Sequence, residues 1–306
     1  MAGKVAVLGI FVADLTFRAA RLPKLGETII GSGFGIGCGG KGSNQAVAAA
    51  RAGAATTFIS KLGDDEFAAM ARRTWQEEGI KACICPSSDP TGAAHIFVNE
   101  TTGANAIIVY PGACAGLSAA DVDKHRAAIE AADVFVAQLE QPHAAALRGL
   151  QIARQAGVTT ILNPAPAAEP IDDAFFALCD FIVPNESEAA GLTGITIDGE
   201  AAARRAAGQL RSCGAGAAII TLGEDGALLD DGNDVLLQPA IGCGAPVDTT
   251  GAGDSFVGAF AAALAGGASA ADGLRYGCAA AGISVTRPGT VAAMPQRAQI
   301  KARLAG

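Results

Sequence analysis

The sequence is poor in the residues that mark several classes of protein. Charged residues make up only 17% of its 306 residues, aromatic residues make up 5%, and the net charge is −8. An acidic chain with so little positive charge is not suited to binding nucleic acid. Half of the residues are apolar, which also argues against disorder. The length allows one large α/β domain or two smaller ones.

The sequence also lacks long apolar runs and metal-ligand patterns. No 18 consecutive residues are apolar, and the run at 257–271 is broken by Gly266 and Gly267. The N-terminal run at 5–12 is too short for a membrane span and lacks the layout of a signal peptide. We therefore expect a cytoplasmic protein. The three histidines and eight scattered cysteines form no ligand pattern, so the cysteines are expected to be free core residues.

Short β-type segments alternate with helical patterns along most of the chain. Strands are predicted at 5–10, 56–62, 134–139, 158–162, 181–183 and 218–222, and helices at 67–78, 117–131 and 201–213. This alternation predicts a mostly parallel sheet with helices on both faces. Ligands in such folds bind at the carboxyl ends of the strands. Six residues fall there: Asp14, Gly63, Glu140, Asn163, Asn185 and Gly223.

Two stretches break the alternation and predict a second, smaller sheet. Residues 28–37 are typical of a short strand, and residues 95–98 and 106–110 are typical of a hairpin joined by residues 100–105. A small sheet that is apolar on both faces needs a further cover.

The segment DTTGAGDSF at 248–256 predicts an anion site that carries its own base. Gly251 and Gly253 permit a tight turn, and the Ala-rich run that follows favours a helix whose first N–H groups attract phosphate. Asp254 lies at that helix start, where a carboxylate can take a proton from a hydroxyl that attacks phosphorus. The alternative is an ordinary turn before a core helix, with Asp254 as its cap.

The glycine-rich segment at 35–41 has two competing interpretations. It satisfies the dinucleotide pattern G-x-G-x-x-G, but no acidic partner follows at the required position in a strand-turn-helix unit. It also approaches a phosphate-binding P-loop, but Gly42 stands where that loop needs Ser or Thr. A flexible loop that closes over a sugar suits the segment better.

Together, GGKGSNQA at 39–46 and the 248–256 segment closely resemble the two signatures of the ribokinase family of sugar kinases, also called the phosphofructokinase-B family. Further segments fit in the same order: VLGIFVAD at 7–14, QLE at 138–140, NPAPA at 163–167, PNESE at 184–188, TLG at 221–223 and VTRPG at 285–289. The resemblance covers essentially the whole chain. It implies one domain, residues 1–306, as a three-layer α/β/α sandwich with a mostly parallel central sheet. A small β-sheet lid is implied from about 15–38 and 92–112.

The resemblance also implies an activity, in which ATP phosphorylates a sugar hydroxyl. Asp254 is then the base, and the N–H groups of Gly251, Ala252 and Gly253 stabilise the transferred phosphoryl group. The implied sugar-binding residues are Asp14, Gly40, Lys41, Asn44, Glu140 and Asp254. The implied nucleotide-binding residues are Asn185, Thr221, Gly223, Gly253 and Cys278. Magnesium is assigned to Asn185 and Glu188, through water, and a monovalent cation such as K⁺ to Asp248, Thr250, Ser284, Arg287 and Gly289.

The sequence departs from the family pattern at three positions. Val12 stands where ribokinases usually carry a ribose-binding asparagine, Cys278 where an asparagine often lines the adenine pocket, and Ala293 where a serine often closes the cation loop. We expect D-ribose as the substrate, with 2-deoxyribose or a nucleoside as the alternative within the family. A sugar-binding regulator without catalysis is the alternative from another class. The family also implies a homodimer that forms through the lid.

Overall fold

A computed structural model describes residues 2–167 and 170–305. Nine strands form the central sheet. They are β1 (Lys4–Leu8), β4 (Ala55–Leu62), β5 (Lys81–Pro86), β8 (Val134–Ala137), β9 (Thr159–Leu162), β10 (Phe181–Ile182), β11 (Ala217–Thr221), β12 (Ala227–Asp230) and β13 (Val235–Gln238). Their order across the sheet is β13-β12-β11-β10-β9-β8-β1-β4-β5. All neighbours from β11 to β5 are parallel, whereas β12 and β13 are antiparallel additions at one edge.

Helices cover both faces of this sheet, as the sequence predicted. They are α1 (Lys41–Ala52), α2 (Glu66–Glu77), α3 (Ala119–Lys124), α4 (Arg126–Glu130), α5 (His143–Gln155), α6 (Ala174–Ala177), α7 (Glu186–Thr193), α8 (Glu200–Ser212), α9 (Ala252–Ala265), α10 (Ala270–Ser284) and α11 (Arg297–Ala305). Alternate residues of β1 enter two cores: Leu8 packs with Phe135 and Leu150 on one side, and Val7 packs with Phe58 and Phe260 on the other. The predicted three-layer fold is confirmed.

The helix predicted at 117–131 is two shorter helices. Ser118 begins α3 with a capping box, in which its side chain and that of Asp121 bond each other's backbone N–H. The helix then ends at His125, whose φ of −109° and ψ of 14° leave the helical region, and α4 begins at the next residue. None of the helices in the described ranges is both long and apolar enough to cross a membrane.

A second sheet of four strands stands apart from the central one. Its strands are β2 (Val12–Ala19), β3 (Gly33–Gly39), β6 (Thr91–Asn99) and β7 (Asn105–Gly112), in the order β3-β2-β6-β7. We call it the lid sheet. The predicted hairpin is β6 and β7, which pair antiparallel. The strand predicted at 28–37 begins only at Gly33, where pairing with Arg18 of β2 begins.

Candidate active site

Glycine shapes the start of α9, where the sequence predicted an anion site. Gly251 adopts the left-handed conformation, with φ of 76°, and a Cβ there would lie 2.4 Å from Thr290 Cγ2. A Cβ at Gly253 would meet nothing within 4 Å, so space is open beside this backbone. The N–H groups of Gly253 and Asp254 have no hydrogen-bond partner among the described residues, whereas that of Ala252 bonds Thr249 O at 3.2 Å. The open N–H groups suit an anion.

Asp254 is buried and held by two amides of α1. Its Oδ2 accepts from Asn44 Nδ2 at 3.0 Å, and its Oδ1 accepts from Gln45 Nε2 at 2.9 Å. The side chain is 7% exposed. The cap of α9 is Gly251, without any side-chain bond to the helix start, so the interpretation of Asp254 as a helix cap is wrong. The carboxylate is instead oriented by another helix.

Two more partly buried carboxylates, those of Asp14 and Glu140, were predicted to bind the sugar. Lys41 N, at the first position of α1, donates to Glu140 Oε2 at 2.7 Å. Burial raises the pKa of Glu140 to about 7, against the opposing effect of the Lys41 charge. Burial also raises the pKa of Asp14 to about 6. A Cβ at Gly39 would lie 2.2 Å from Asp14 Oδ1, so only glycine lets the β3 backbone approach this carboxylate.

The side-chain amide of Asn44, another predicted sugar-binding residue, has a hydrogen-bond partner on one side only among the described residues. Its Nδ2 is bonded to Asp254, while its Oδ1 is buried without a hydrogen-bond partner in the described part of the chain. A buried amide oxygen without a partner is costly. A sugar hydroxyl donating to this atom would satisfy it and would lie beside the base.

A small polar cavity opens next to the start of α9. It has a volume of about 50 Å³ and is lined by Lys41, Asn163, Val183, Asn185, Glu188, Thr221, Gly253, Asp254 and Val257. Burial acts to lower the pKa of Lys41, but the carboxylates of Asp254, Glu140 and Glu188 outweigh it, so this pKa is raised. The ammonium therefore stays charged among acids. The cavity brings together predicted residues for the base, the nucleotide and the magnesium ion.

Asn185 and Glu188 form a capping box at the start of α7. Asn185 Oδ1 accepts from Glu188 N at 2.8 Å, and Glu188 Oε2 accepts from Asn185 N at 2.9 Å. Glu188 Oε1 has no partner in the described ranges, and burial raises the pKa of this carboxyl. Glu188 lines the small polar cavity, and a carboxylate there suits Mg²⁺ that keeps most of its water shell. The donor set therefore fits the predicted ion in its hydrated form.

Asp248 is hydrogen-bonded to both segments that were predicted to hold a monovalent cation, residues 248–250 and 284–289. We call these segments the Asp248 loops. Asp248 Oδ1 accepts from Thr250 N and Asp248 Oδ2 from Gly289 N, each at 2.9 Å. Partial burial acts to raise the pKa of Asp248, but these bonds outweigh it and the pKa is lowered. Ser284 O accepts from Arg287 N in the adjoining turn. An ionised carboxylate between two loops fits a cation that would hold them in place.

A larger cleft separates these loops from the lid sheet. Its volume is about 490 Å³, and its walls include Asp14, Thr16 and Arg18 of β2 and Asp248 and Gly289 of the loops. The three β2 residues alternate along one face of the strand, so this face looks into the cleft. Since β3 belongs to the lid and pairs antiparallel with β2, the dinucleotide interpretation of its glycines fails for want of a parallel-sheet strand.

The remaining predicted nucleotide residues are Thr221, which lines the small cavity, and Gly223 and Cys278, which do not. Thr221 ends β11 and pairs with Asn185 through an isolated bridge, and Gly223 follows in an exposed turn with φ of 54°. Cys278 lies on α10 in the core that also holds Phe256, and is 6% exposed. Burial raises its pKa to about 12, which makes the thiol unreactive.

Sequence reasoning missed two glutamines at the centre of the site. Gln45 and Gln138 are fully buried and bonded to each other, with Gln138 Nε2 donating to Gln45 Oε1 at 2.6 Å. Gln45 lies in the segment at 39–46 and Gln138 in the segment at 138–140, but neither residue was assigned a function from the sequence. The available signal was their position: Gln138 follows β8 directly, and Gln45 follows a predicted sugar-binding residue on α1.

Comparisons with known proteins agree with this geometry. The sequence matches the pfkB family carbohydrate kinase model over residues 2–297. Ribokinase of Haemophilus influenzae is 38% identical over 296 residues, which cover 96% of this chain and 95% of the relative. Deoxyribokinase of Salmonella typhi is 36% identical over 296 residues, which cover 95% of each. The structure of Arabidopsis thaliana ribokinase complexed with ribose and ATP has a TM-score of 0.92, 29% identity and full coverage of both chains.

Proposed function

The chain belongs to the pfkB family of carbohydrate kinases, and on this basis we propose that it phosphorylates the 5-hydroxyl of D-ribose with ATP. The observation that carries the proposal is the buried Asp254 carboxylate, held by two amides at the start of α9. This base lies next to open N–H groups on one side and to the sugar-side residues on the other. The Arabidopsis relative was solved with ribose and ATP, which supports the same pair of ligands here.

The residues supply the steps of an in-line phosphoryl transfer. Asp254 accepts the proton of the attacking hydroxyl as its oxygen bonds phosphorus and the bond to the leaving ADP oxygen breaks. The open N–H groups at the start of α9 and the Lys41 ammonium stabilise negative charge on the transferred group. Mg²⁺ held through water by Glu188 and Asn185 would neutralise the phosphates of ATP. Asp14, Glu140 and Asn44 orient the sugar by hydrogen bonds to its hydroxyls, and Gly40 lets the chain turn closely beside it.

A second sugar, 2-deoxyribose, is favoured by one observation. Val12 is 4% exposed and packs with Ile10, Ala94 and Cys114, so it offers no hydrogen bond where the family usually has an asparagine. Such a site loses part of its discrimination for a 2-hydroxyl. Deoxyribokinase of Salmonella typhi is 36% identical to this chain, which is close to the 38% identity of Haemophilus influenzae ribokinase. This similarity also favours 2-deoxyribose as the second candidate.

The decisive experiment compares substrates. Purified protein is assayed for ADP release with ribose, 2-deoxyribose, fructose, adenosine and inosine, and the product is identified by mass and by its ³¹P coupling. We expect the highest kcat/KM for ribose, with 2-deoxyribose next. A higher kcat/KM for 2-deoxyribose would assign that sugar, and turnover of adenosine or inosine alone would make the protein a nucleoside kinase. No turnover of any sugar would contradict the proposal.

The proposal includes activation by K⁺ at the Asp248 loops. A bound cation would hold Thr250 and Gly289 against the start of α9, and through them the anion-binding N–H groups. Rates in potassium, sodium and tetramethylammonium chloride at one ionic strength test this step. We expect the highest rate in potassium. Equal rates in the three salts would remove the cation from the mechanism.

The proposal also includes a homodimer formed through the lid sheet. The face of the lid turned away from the cleft carries five large apolar side chains that are 41–72% exposed: Phe17, Phe34, Ile36, Ile108 and Tyr110. We call it the outer lid face. Apolar residues on the cleft face, such as Val109, are exposed as well. An exposed apolar surface of this size suits an interface, and we propose that a second copy of the chain covers it.

The cytoplasm is the compartment we assign. All eight cysteines lie in the described ranges and are free, which suits a reducing compartment. ATP is also the phosphoryl donor of the proposed reaction.

A further inference from the structure

A chain of buried amides is hydrogen-bonded to the Asp254 carboxylate. Gln45 Nε2 donates both to Asp254 Oδ1 at 2.9 Å and to Asn163 Oδ1 at 3.0 Å, while its Oε1 accepts from Gln138 Nε2 at 2.6 Å. The two hydrogens and the oxygen of this amide are therefore all used. Gln45 and Gln138 are fully buried and Asn163 is 8% exposed. Loss of one of these bonds would leave a buried polar atom without its partner, which is costly.

The direction of the chain is fixed at its far end. Asn163 Nδ2 donates to the backbone oxygen of Val183 at 2.8 Å. A carbonyl can only accept, so this bond sets the orientation of the Asn163 amide and leaves Asn163 Oδ1 to accept from Gln45. The Gln45 NH₂ group must then point toward Asp254. The orientation follows from bonding alone and has one solution.

The chain also joins the elements that carry the reacting groups. Asp254 lies on α9, Gln45 on α1, Gln138 follows β8 and Asn163 follows β9. The first turn of α1 places Asn44 and Gln45 on different oxygens of one carboxylate. Two donors on two oxygens fix both the position and the plane of the carboxylate, which one donor could not do.

We propose that Gln45 is a positioning residue that holds the Asp254 carboxylate in the plane needed to accept the sugar proton. It acts through Asp254 and does not touch the sugar or ATP. Proton transfer depends steeply on geometry, and a displacement of about 1 Å can cost ~10²-fold in rate. Loss of Gln45 should therefore lower kcat while leaving the KM values nearly unchanged. The inference rests on the proposed role of Asp254 as base.

The test uses Gln45→Leu, which keeps the size of the side chain and removes its three hydrogen bonds. We expect kcat to fall about 10- to 100-fold, with KM for sugar and ATP within about threefold of the original. Gln141→Leu is the matched control, because Gln141 is 2% exposed and bonds only the Gln138 backbone oxygen. The control should keep kcat within about twofold. An unchanged kcat in Gln45→Leu, or an equal fall in the control, would overturn the proposal.

A double variant separates positioning from a general loss of structure. In the Asp254→Asn background, Gln45→Leu should cause no further fall in kcat, because the group that it positions is already disabled. The same fall as in the original background would show that Gln45 acts independently and would overturn the proposal. If Gln45→Leu does not fold, Gln138→Leu takes its place. It removes the anchor of the Gln45 amide and should give a smaller fall in kcat, whereas no fall would count against the proposal.

The outcomes also distinguish this inference from the proposed function. An original protein without kinase activity on any sugar would contradict the function. Full activity in a folded Gln45→Leu variant would leave the function intact and reject only the positioning role.

Discussion

The candidate active site has two walls, one around Asp254 and one formed by the lid sheet, and they are built in different ways. The wall that holds Asp254 consists of side-chain amides that are at most 8% exposed and bonded to one another. The wall formed by the lid is mostly backbone: on β3, four glycines alternate at 33, 35, 37 and 39, and they pair with the cleft-facing residues of β2. A Cβ at Gly35 or Gly37 would meet nothing within 4 Å.

The difference shows which parts of the site are complete without ligands. Each oxygen of the Asp254 carboxylate already accepts a bond from a buried amide, so this carboxylate is oriented before any ligand binds. The lid sheet, in contrast, has exposed apolar side chains that a second subunit would cover. The Asp248 loops were proposed to bind a cation. Changes to the first wall should therefore affect the chemical step, and changes to the second should affect binding and assembly.

The largest effect is expected from Asp254→Asn. The amide keeps the shape of the side chain but cannot accept the proton, so kcat should fall about 10²- to 10⁴-fold while sugar affinity measured by calorimetry changes little. Asp272→Asn is a matched control, since Asp272 is likewise the third residue of its helix, α10, and lies on the surface. A variant that retains more than half of the original kcat would show that Asp254 is not the base.

On the lid side, Ile108→Lys should break the proposed dimer. Ile108 is 72% exposed on β7, an edge strand of the lid sheet, and is the most exposed residue of the outer lid face. A twofold interface contains each substitution twice. Burying two unpaired charges should raise the dimer dissociation constant on the order of 10³-fold or more. Analytical ultracentrifugation measures the change, with Val235→Lys on the far edge strand β13 as the control. An original protein that sediments as a monomer at micromolar concentration would contradict the proposed dimer.

The two walls also differ in how far the sequence predicted them. The β/α alternation predicted six strands of the central sheet, and the glycine segments located Asp254. The sequence did not reveal β5 at one edge of this sheet or the hairpin of β12 and β13 at the other, because short edge strands carry little periodic signal. The amide chain was missed for another reason. A glutamine such as Gln45 is usually exposed, and only the packing of α1 against α9 shows that it is buried beside a carboxylate.

Two carboxylates predicted to bind the sugar, those of Glu140 and Asp14, should make sugar binding depend on pH. Burial raises the pKa of Glu140 to about 7 and that of Asp14 to about 6. The ionised carboxylates accept bonds from sugar hydroxyls, so affinity is highest above these values and falls as protonation begins. KM for the sugar should rise up to about tenfold between about pH 8 and pH 6. Initial rates at saturating ATP measure it, and Glu140→Gln should remove most of the dependence. A constant KM across this range would reject the assignment of Glu140.

The smallest effect is expected from Val12→Asn, which adds a polar group to the lid wall. Val12 lies on the same face of β2 as Asp14, two residues away, and packs against Ala94. An asparagine there could bond the 2-hydroxyl that distinguishes ribose from 2-deoxyribose. One such bond is worth about 0.5–1.5 kcal/mol, or about 2- to 10-fold in the ratio of kcat/KM for the two sugars. Val12→Leu is the control, because it changes size without adding a hydrogen bond and should impair both sugars equally. If Val12→Asn leaves this ratio of kcat/KM unchanged, Val12 has only a packing role in the lid sheet. The choice of sugar would then depend on Asp14, Asn44 and Glu140.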